Sequence, residues 1–215
     1  MVRKTKEEAQ ATRELLLNAA ERLFSENGVS ATSLNEIANA AGLTRGAVYW
    51  HFENKGDLLM ALWERVAHPI EHAFEDPERY AGTDLIKLIH AKSCWMADHI
   101  EEDPRLLSLM NILMLRCEFA TETEGARVHF QSVREECLVR ITSNFQQAVS
   151  LGQIPACTNP EQAAIGLFGL VDGICFHWLI DRTRFRIKEA THSAVRAYLH
   201  GLAGQENPES PKSVQ

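Results

Sequence analysis

Arg45, Tyr49, Trp50 and His51 set a guanidinium, a phenol, an indole and an imidazole within one short stretch of chain. Only Val48 and Phe52, with Leu43 and Ala47 behind them, look suited to packing, so the four side chains leave a face of donors and flat rings. Gly46 lacks a side chain where that face meets a partner, which lets backbone approach closely. Such a face fits a DNA major groove. Arg45 can pair with guanine N7/O6 or a phosphate, and the Tyr49 hydroxyl and His51 can reach phosphates, while Trp50 can lie on sugar and backbone. The plainer alternative is a surface helix between two others, with the aromatics as partial core.

The elements around these residues are those that would present them. Leu34, Ile37, Ala38 and Ala41 follow i, i+3, i+4, i+7, the spacing of one apolar face on a short helix. Ser33 and Glu36 form the capping-box pattern at its start, and Gly42 stops it. Thr44 is a suitable N-cap for a second helix, Arg45–His51. Two short helices joined by a turn of about three residues read as helix-turn-helix. Ser33 and Thr44 can each add a phosphate contact, as can Lys55 at the start of the next helix. Arg3, Lys4 and Lys6 form a short cationic arm, which reads as a solvated terminus or as a contact to phosphate or minor groove.

The run Thr44–Phe52 (TRGAVYWHF), followed by Asn54-Lys55 and Asp57, resembles the signature of TetR-type transcriptional regulators. The opening MVRKTKEEAQAT and the segment Arg116-Cys117-Glu118-Phe119 look like the AcrR subgroup, which represses multidrug efflux operons. The resemblance implies an all-α fold of about nine helices, an N-terminal helix-turn-helix domain followed by a helical ligand-binding and dimerisation domain. It also implies a homodimer on palindromic double-stranded DNA, released by a small hydrophobic ligand, neutral or cationic. An activator or a metabolite sensor on the same scaffold would read alike, and a metal sensor is a further alternative.

Charge and cysteine usage agree with a cytoplasmic protein of this kind. The chain has 215 residues and a net charge of −7. Residues 1–55 hold seven Lys/Arg against seven Glu, so the rest carries the whole −7. That excludes a protein that coats nucleic acid non-specifically. Cys94, Cys117, Cys137, Cys157 and Cys175 are odd in number and dispersed, with no signal peptide expected, which argues against a disulfide framework and for a reducing compartment. The apolar run Ala163–Ile180 contains Asp172 and His177 and reads as a buried helix, not a membrane span.

Taken in order, the spacing predicts a first helix over Glu7–Glu26, then the helix-turn-helix, then a fourth helix from Lys55 to about Phe74 capped by Asn54. Glu75–Thr83, with Pro77 and Gly82, is a polar break. Helices follow over Asp84–Glu101, 103–116, 124–151, 159–181 and 187–202. The division expected is 1–54 for DNA binding, 55–82 for a connecting helix and linker, 83–204 for ligand and dimerisation, and 205–215 for a disordered tail.

Helix 159–181 is apolar nearly all round, so it is expected to be covered on most sides. The family resemblance makes Leu167, Leu170, Ile174, Trp178, Val195, Tyr198, Leu199 and Leu202 the candidates for a dimer contact. Asp172, a carboxylate among apolar side chains, needs a partner, a proton or water. It is either bonded to a neighbouring helix or a polar anchor for ligand. Met96, Leu113, Met114, Cys137, Ile141, Phe168, Val171, Cys175 and Phe176 are candidates to line a cavity around it, though each is also ordinary core material. His68 with His72 and His90 with Cys94 are i, i+4 pairs, but nothing in the sequence marks a third ligand, so neither metal nor cofactor is expected. No nucleophile elbow, phosphate loop or HExxH motif points to an enzyme.

Overall fold

The computed structural model describes residues 6–75, 84–118 and 121–204, with the side chains of 67–75 and of Thr121 outside that description. Arg3, Lys4, the linker expected over 76–83 and the tail expected over 205–215 therefore lie outside the described residues. Among the described residues there are nine α-helices and no strand. They are α1 (Lys6–Asn27), α2 (Leu34–Ala40), α3 (Arg45–His51), α4 (Lys55–Glu75), α5 (Leu85–His99), α6 (Pro104–Asn111), α7 (Glu124–Ser150), α8 (Pro160–Ile180) and α9 (Ile187–Ala203). The all-α expectation holds, and its helices fall close to their expected limits.

Local chemistry explains those limits. Asp84, Asp103 and Asn159 each accept a backbone N–H from the first turn of α5, α6 and α8, the usual way of satisfying a helix start. Asn54 does the same for α4, accepting from the Asp57 N–H at 3.0 Å. Gly28 and Gly42 adopt φ of +90° and +69°, the left-handed region where a side chain is strained, and they end α1 and α2. The helix expected over 103–116 is capped by Asp103, starts at Pro104 and widens over Ile112–Arg116 into a π-helical turn.

The described chain forms two compact units. One takes residues 1–70 and 102–131, the other 71–101 and 132–215. Packing thus groups the chain differently from the sequential division expected. The physical reason is that α6 and the π turn lie on α1, where Asn111 donates to the Ser25 hydroxyl at 3.0 Å and the Arg116 carbonyl accepts the Val29 N–H at 2.9 Å.

In the first unit, α1 packs on α2, α3 and α6 and contributes the buried stripe Leu16, Leu17, Ala20 and Phe24. Arg65 of α4, only 8% exposed, ties that helix to Glu14 (2.6 Å) and Glu21 (3.2 Å) of α1. In the second unit, α5 packs on α9, and α8 on α9 and α5. Its core joins Leu88, Ile89, Phe145, Ala164, Leu167, Val195 and Leu199. Helices α4 and α7 each have residues in both units.

Candidate functional site

Helices α2 and α3 bury Ile37, Ala38, Val48 and Phe52. With those apolar faces turned inward, the remaining positions of α3 are turned out. Trp50 is 71% exposed and Tyr49 47%, and Arg45 and Gly46 are exposed as well. The Arg45 guanidinium donates to the Tyr49 hydroxyl at 3.2 Å and lies 5.4 Å from that ring's centre. Trp50 meets the His51 ring edge-on at 4.4 Å. An added Cβ at Gly46 would meet nothing nearer than the Thr44 hydroxyl oxygen, at 3.9 Å. The free protein therefore has room for a side chain there, and any need for glycine arises in a complex.

The caps are committed to different degrees. Ser33 accepts from the Glu36 N–H at 3.2 Å and donates its own N–H and hydroxyl to the Glu36 carboxylate, both at 2.7 Å. Those two bonds hold the Glu36 carboxyl below its ordinary range. Both functions of the Ser33 hydroxyl are thus engaged in starting α2. The Thr44 hydroxyl accepts from the Ala47 N–H at 3.3 Å and keeps its own proton for donation outward.

Lys55 is engaged within the protein. Its side chain is 13% exposed, and Nζ donates to the carbonyls of Val29 (3.0 Å) and Ser30 (3.3 Å) and pairs with Glu122 at 3.4 Å. It is a brace between the start of α4, the loop after α1 and the turn before α7. Gly56 shows how close that junction is, since a Cβ there would come within 3.0 Å of the Glu122 carbonyl oxygen. Trp63 of α4 meets Phe130 of α7 edge-on at 5.5 Å.

The ligand candidates come from both units. Leu113 and Met114 sit in the π turn of the first unit. Met96, Cys137, Ile141, Phe168, Val171, Asp172, Cys175 and Phe176 belong to the second. There Ile141 and Val171 pack against the core and Cys175 is buried, its thiol pushed up to about 12 by burial and then by the Asp172 charge. Asp172 is bonded to Arg134 of α7, whose guanidinium also lies 4.8 Å from the centre of the Phe168 ring. Asp172 thus has a partner on a neighbouring helix. Sequence reasoning missed Arg134, which is remote in sequence and lies on a helix with no clean apolar stripe to orient it.

The dimer candidates fall into a covered set and a partly exposed one. Leu167, Trp178, Val195, Leu199 and Leu202 are buried within their own chain, and Tyr198 donates its hydroxyl to the Ala163 carbonyl at 2.9 Å. Leu170 and Ile174 are partly exposed. The residues that α8 leaves uncovered follow helical spacing along another stripe: Ile165, Gly169, Phe176 and Ile180, with Gly173 half-covered among them. Phe176, a ligand candidate, is part of this outer stripe. Nothing lies within 4 Å of a Cβ built at Gly169 or Gly173. A helix apolar on every side gives no phase by which periodicity could separate these two faces. α8 is also long and apolar enough, by length and composition, to cross a bilayer. Its other face is the core of the second unit.

Residues 16–62 match the family of bacterial regulatory proteins of the tetR type, and residues 85–203 match the C-terminal region of MAATS-type transcriptional repressors. The chain belongs to the TetR family. It is 37% identical to the transcriptional regulator TtgR of Pseudomonas putida, covering 84% of this chain and 86% of that one. It is 36% identical to AcrR of Shigella flexneri, covering 93% of each. Among solved structures, NalD of Pseudomonas aeruginosa, the secondary repressor of the MexAB-OprM multidrug efflux pump, superposes with a TM-score of 0.83 at 30% identity, covering 94% of this chain and all of that one. A complex of SmeT with triclosan superposes with a TM-score of 0.71 at 31% identity over 95% of this chain and 99% of that one. TetR-family members are transcriptional regulators that bind operator DNA and small molecules and dimerise. In this TetR-family chain Arg45, Gly46, Tyr49 and Trp50 of α3 are exposed.

Proposed function

We propose that this chain is a ligand-responsive repressor of a multidrug efflux operon, acting as a homodimer in the cytoplasm on a palindromic operator. The observation that carries the reading is the outer face of α3, where Arg45, Tyr49 and Trp50 stand exposed on a helix whose other side is closed core. Arg45 reads a base, Thr44, Tyr49 and His51 hold phosphates, and Trp50 lies along the backbone. Gly46 permits the close approach. Arg3 and Lys4 add contacts from the arm. Ser33 and Lys55 set the elements in place. Residues 1–54 thus carry recognition, 55–82 connect, and 83–204 hold ligand and partner.

The dimer forms through the uncovered stripe of α8, with Gly169 and Gly173 allowing a partner helix close and Ile165, Phe176 and Ile180 supplying apolar area. Two recognition helices then fall about one DNA turn apart, matching the half-sites of a palindrome. The inducer is a hydrophobic molecule. Because Asp172 is already paired with Arg134, a cationic ligand must displace that guanidinium, whereas an anionic or neutral one can use it. Ligand acts on DNA binding through α7, where the turn before it holds α4 at Lys55–Glu122 and Phe130 near its start meets Trp63. The release energy is the ligand's differential affinity for the conformation in which α4 is displaced.

Fluorescence anisotropy on the DNA upstream of the protein's own gene, at stated salt, tests this with and without a panel of hydrophobic drugs and dyes. Tight, sequence-dependent binding that some compounds release is the expected result. Binding that no compound disturbs would leave the DNA role standing and remove the drug-sensing one.

A further inference from the structure

Three side chains that the regulatory reading does not use converge between α5 and α9. His90 and Cys94 lie one turn apart on α5, and His192 faces them from α9. One ligand atom from each lies within 4.8 Å of the others. The Cys94 sulfur is 3.9 Å from His90 Nε2, and the His90 and His192 ring centres are 5.0 Å apart. Tetrahedral zinc, with bonds of about 2.0–2.3 Å, holds its ligand atoms roughly 3.3–3.8 Å apart. The cluster is therefore within a small side-chain adjustment of a metal triad. His192 was the ligand no sequence spacing could supply, since it is 98 positions from Cys94.

We propose that His90, Cys94 and His192 form a site for a zinc-class divalent ion, with a fourth position open to water. Two imidazoles and a thiolate suit zinc, cobalt and their borderline neighbours, and exclude calcium and magnesium, which require oxygen ligands. Asp98, one turn beyond Cys94, accepts from His192 Nε2 at 2.9 Å. A carboxylate behind a histidine in this way fixes the ring and leaves its other nitrogen's lone pair for a metal. Lys188 is held on the same carboxylate at 3.1 Å, which partly offsets its charge against an incoming cation. Without metal, Cys94 is an inert thiol, pushed up to about 12 by its burial and then by the Asp98 charge, so a redox-sensing role is not favoured. On binding, the thiol proton leaves to solvent as the sulfur–metal bond forms. The ion clamps α5 to α9 whatever operon the protein controls.

Cobalt titration of tag-free, chelator-stripped protein tests the site. The expected result is one Co(II) per chain, with an intense thiolate charge-transfer band and tetrahedral visible bands that Zn(II) bleaches. Cys94→Ser abolishes the charge-transfer band, while Cys157→Ser, at an exposed cysteine, leaves it. His90→Gln and His192→Gln carry the same test should Cys94→Ser fail to fold. Asp98→Asn weakens affinity by about 10- to 100-fold. A spectrum without a thiolate band, a band that survives Cys94→Ser and both histidine variants, or a thermal midpoint indifferent to Zn(II) overturns the proposal. Operator binding is read separately, so failure here leaves the repressor reading untouched.

Discussion

Arg45 and Gly46 are neighbours whose substitutions should part company. Arg45 makes one side-chain bond, to Tyr49, on the surface, so Arg45→Ala should leave the thermal midpoint nearly unchanged. If it reads a base, its loss should cost about 1–3 kcal/mol of operator affinity and relax specificity at one position. A uniform loss across operator variants in anisotropy would make it a phosphate contact instead. Gly46→Ala meets no obstacle in the free protein and adds helix propensity worth up to about 1 kcal/mol. It should therefore raise stability while lowering operator affinity, a pairing that denaturant melts and DNA titrations together would reveal. At the effector side, removing the Asp172 carboxylate frees the Arg134 guanidinium. Asp172→Ala should then strengthen anionic ligands relative to cationic ones, and calorimetry showing equal shifts for both would return the pair to a purely structural role.

At the scale of helices, the contact of α8 with α9 depends on one missing side chain. A Cβ at Gly166 would fall 2.5 Å from the Tyr198 hydroxyl oxygen and 3.2 Å from its ring. Gly166→Ala should cost about 1–3 kcal/mol, the usual price of overpacking. Tyr198→Phe removes the nearer obstacle, so the double variant should lose less than the sum of the singles. Simple additivity in urea melts would show that the helices yield elsewhere. Such a contact was not legible beforehand, because Gly166 sits among other glycines and its neighbour lies on another helix. What sequence disclosed well was anything local. Ser33, Thr44 and Asn54 cap the helices they precede, since a cap is decided within four residues. The outward face of α3 was legible for the same reason. Lys55, Arg134 and His192 were not, because their partners Glu122, Asp172 and Cys94 lie far along the chain.

For the whole molecule the decisive surface is the apolar stripe of α8. A single chain leaves Ile165, Phe176 and Ile180 exposed, the apolar area that the proposed dimer would cover. Phe176→Glu should yield monomers in sedimentation at micromolar concentration and weaken binding to a two-half-site operator far more than to one half-site. A dimer that survives the change would place the contact elsewhere. The same stripe has a consequence for a cell holding several such repressors. Gly169 and Gly173 offer a smooth strip with few knobs, so most of what tells self from a sister protein must come from the shapes of Ile165, Phe176 and Ile180. Replacing these three by a paralogue's residues should be enough to make mixed pairs, and with them a protein that responds to two chemicals on an operator belonging wholly to neither parent.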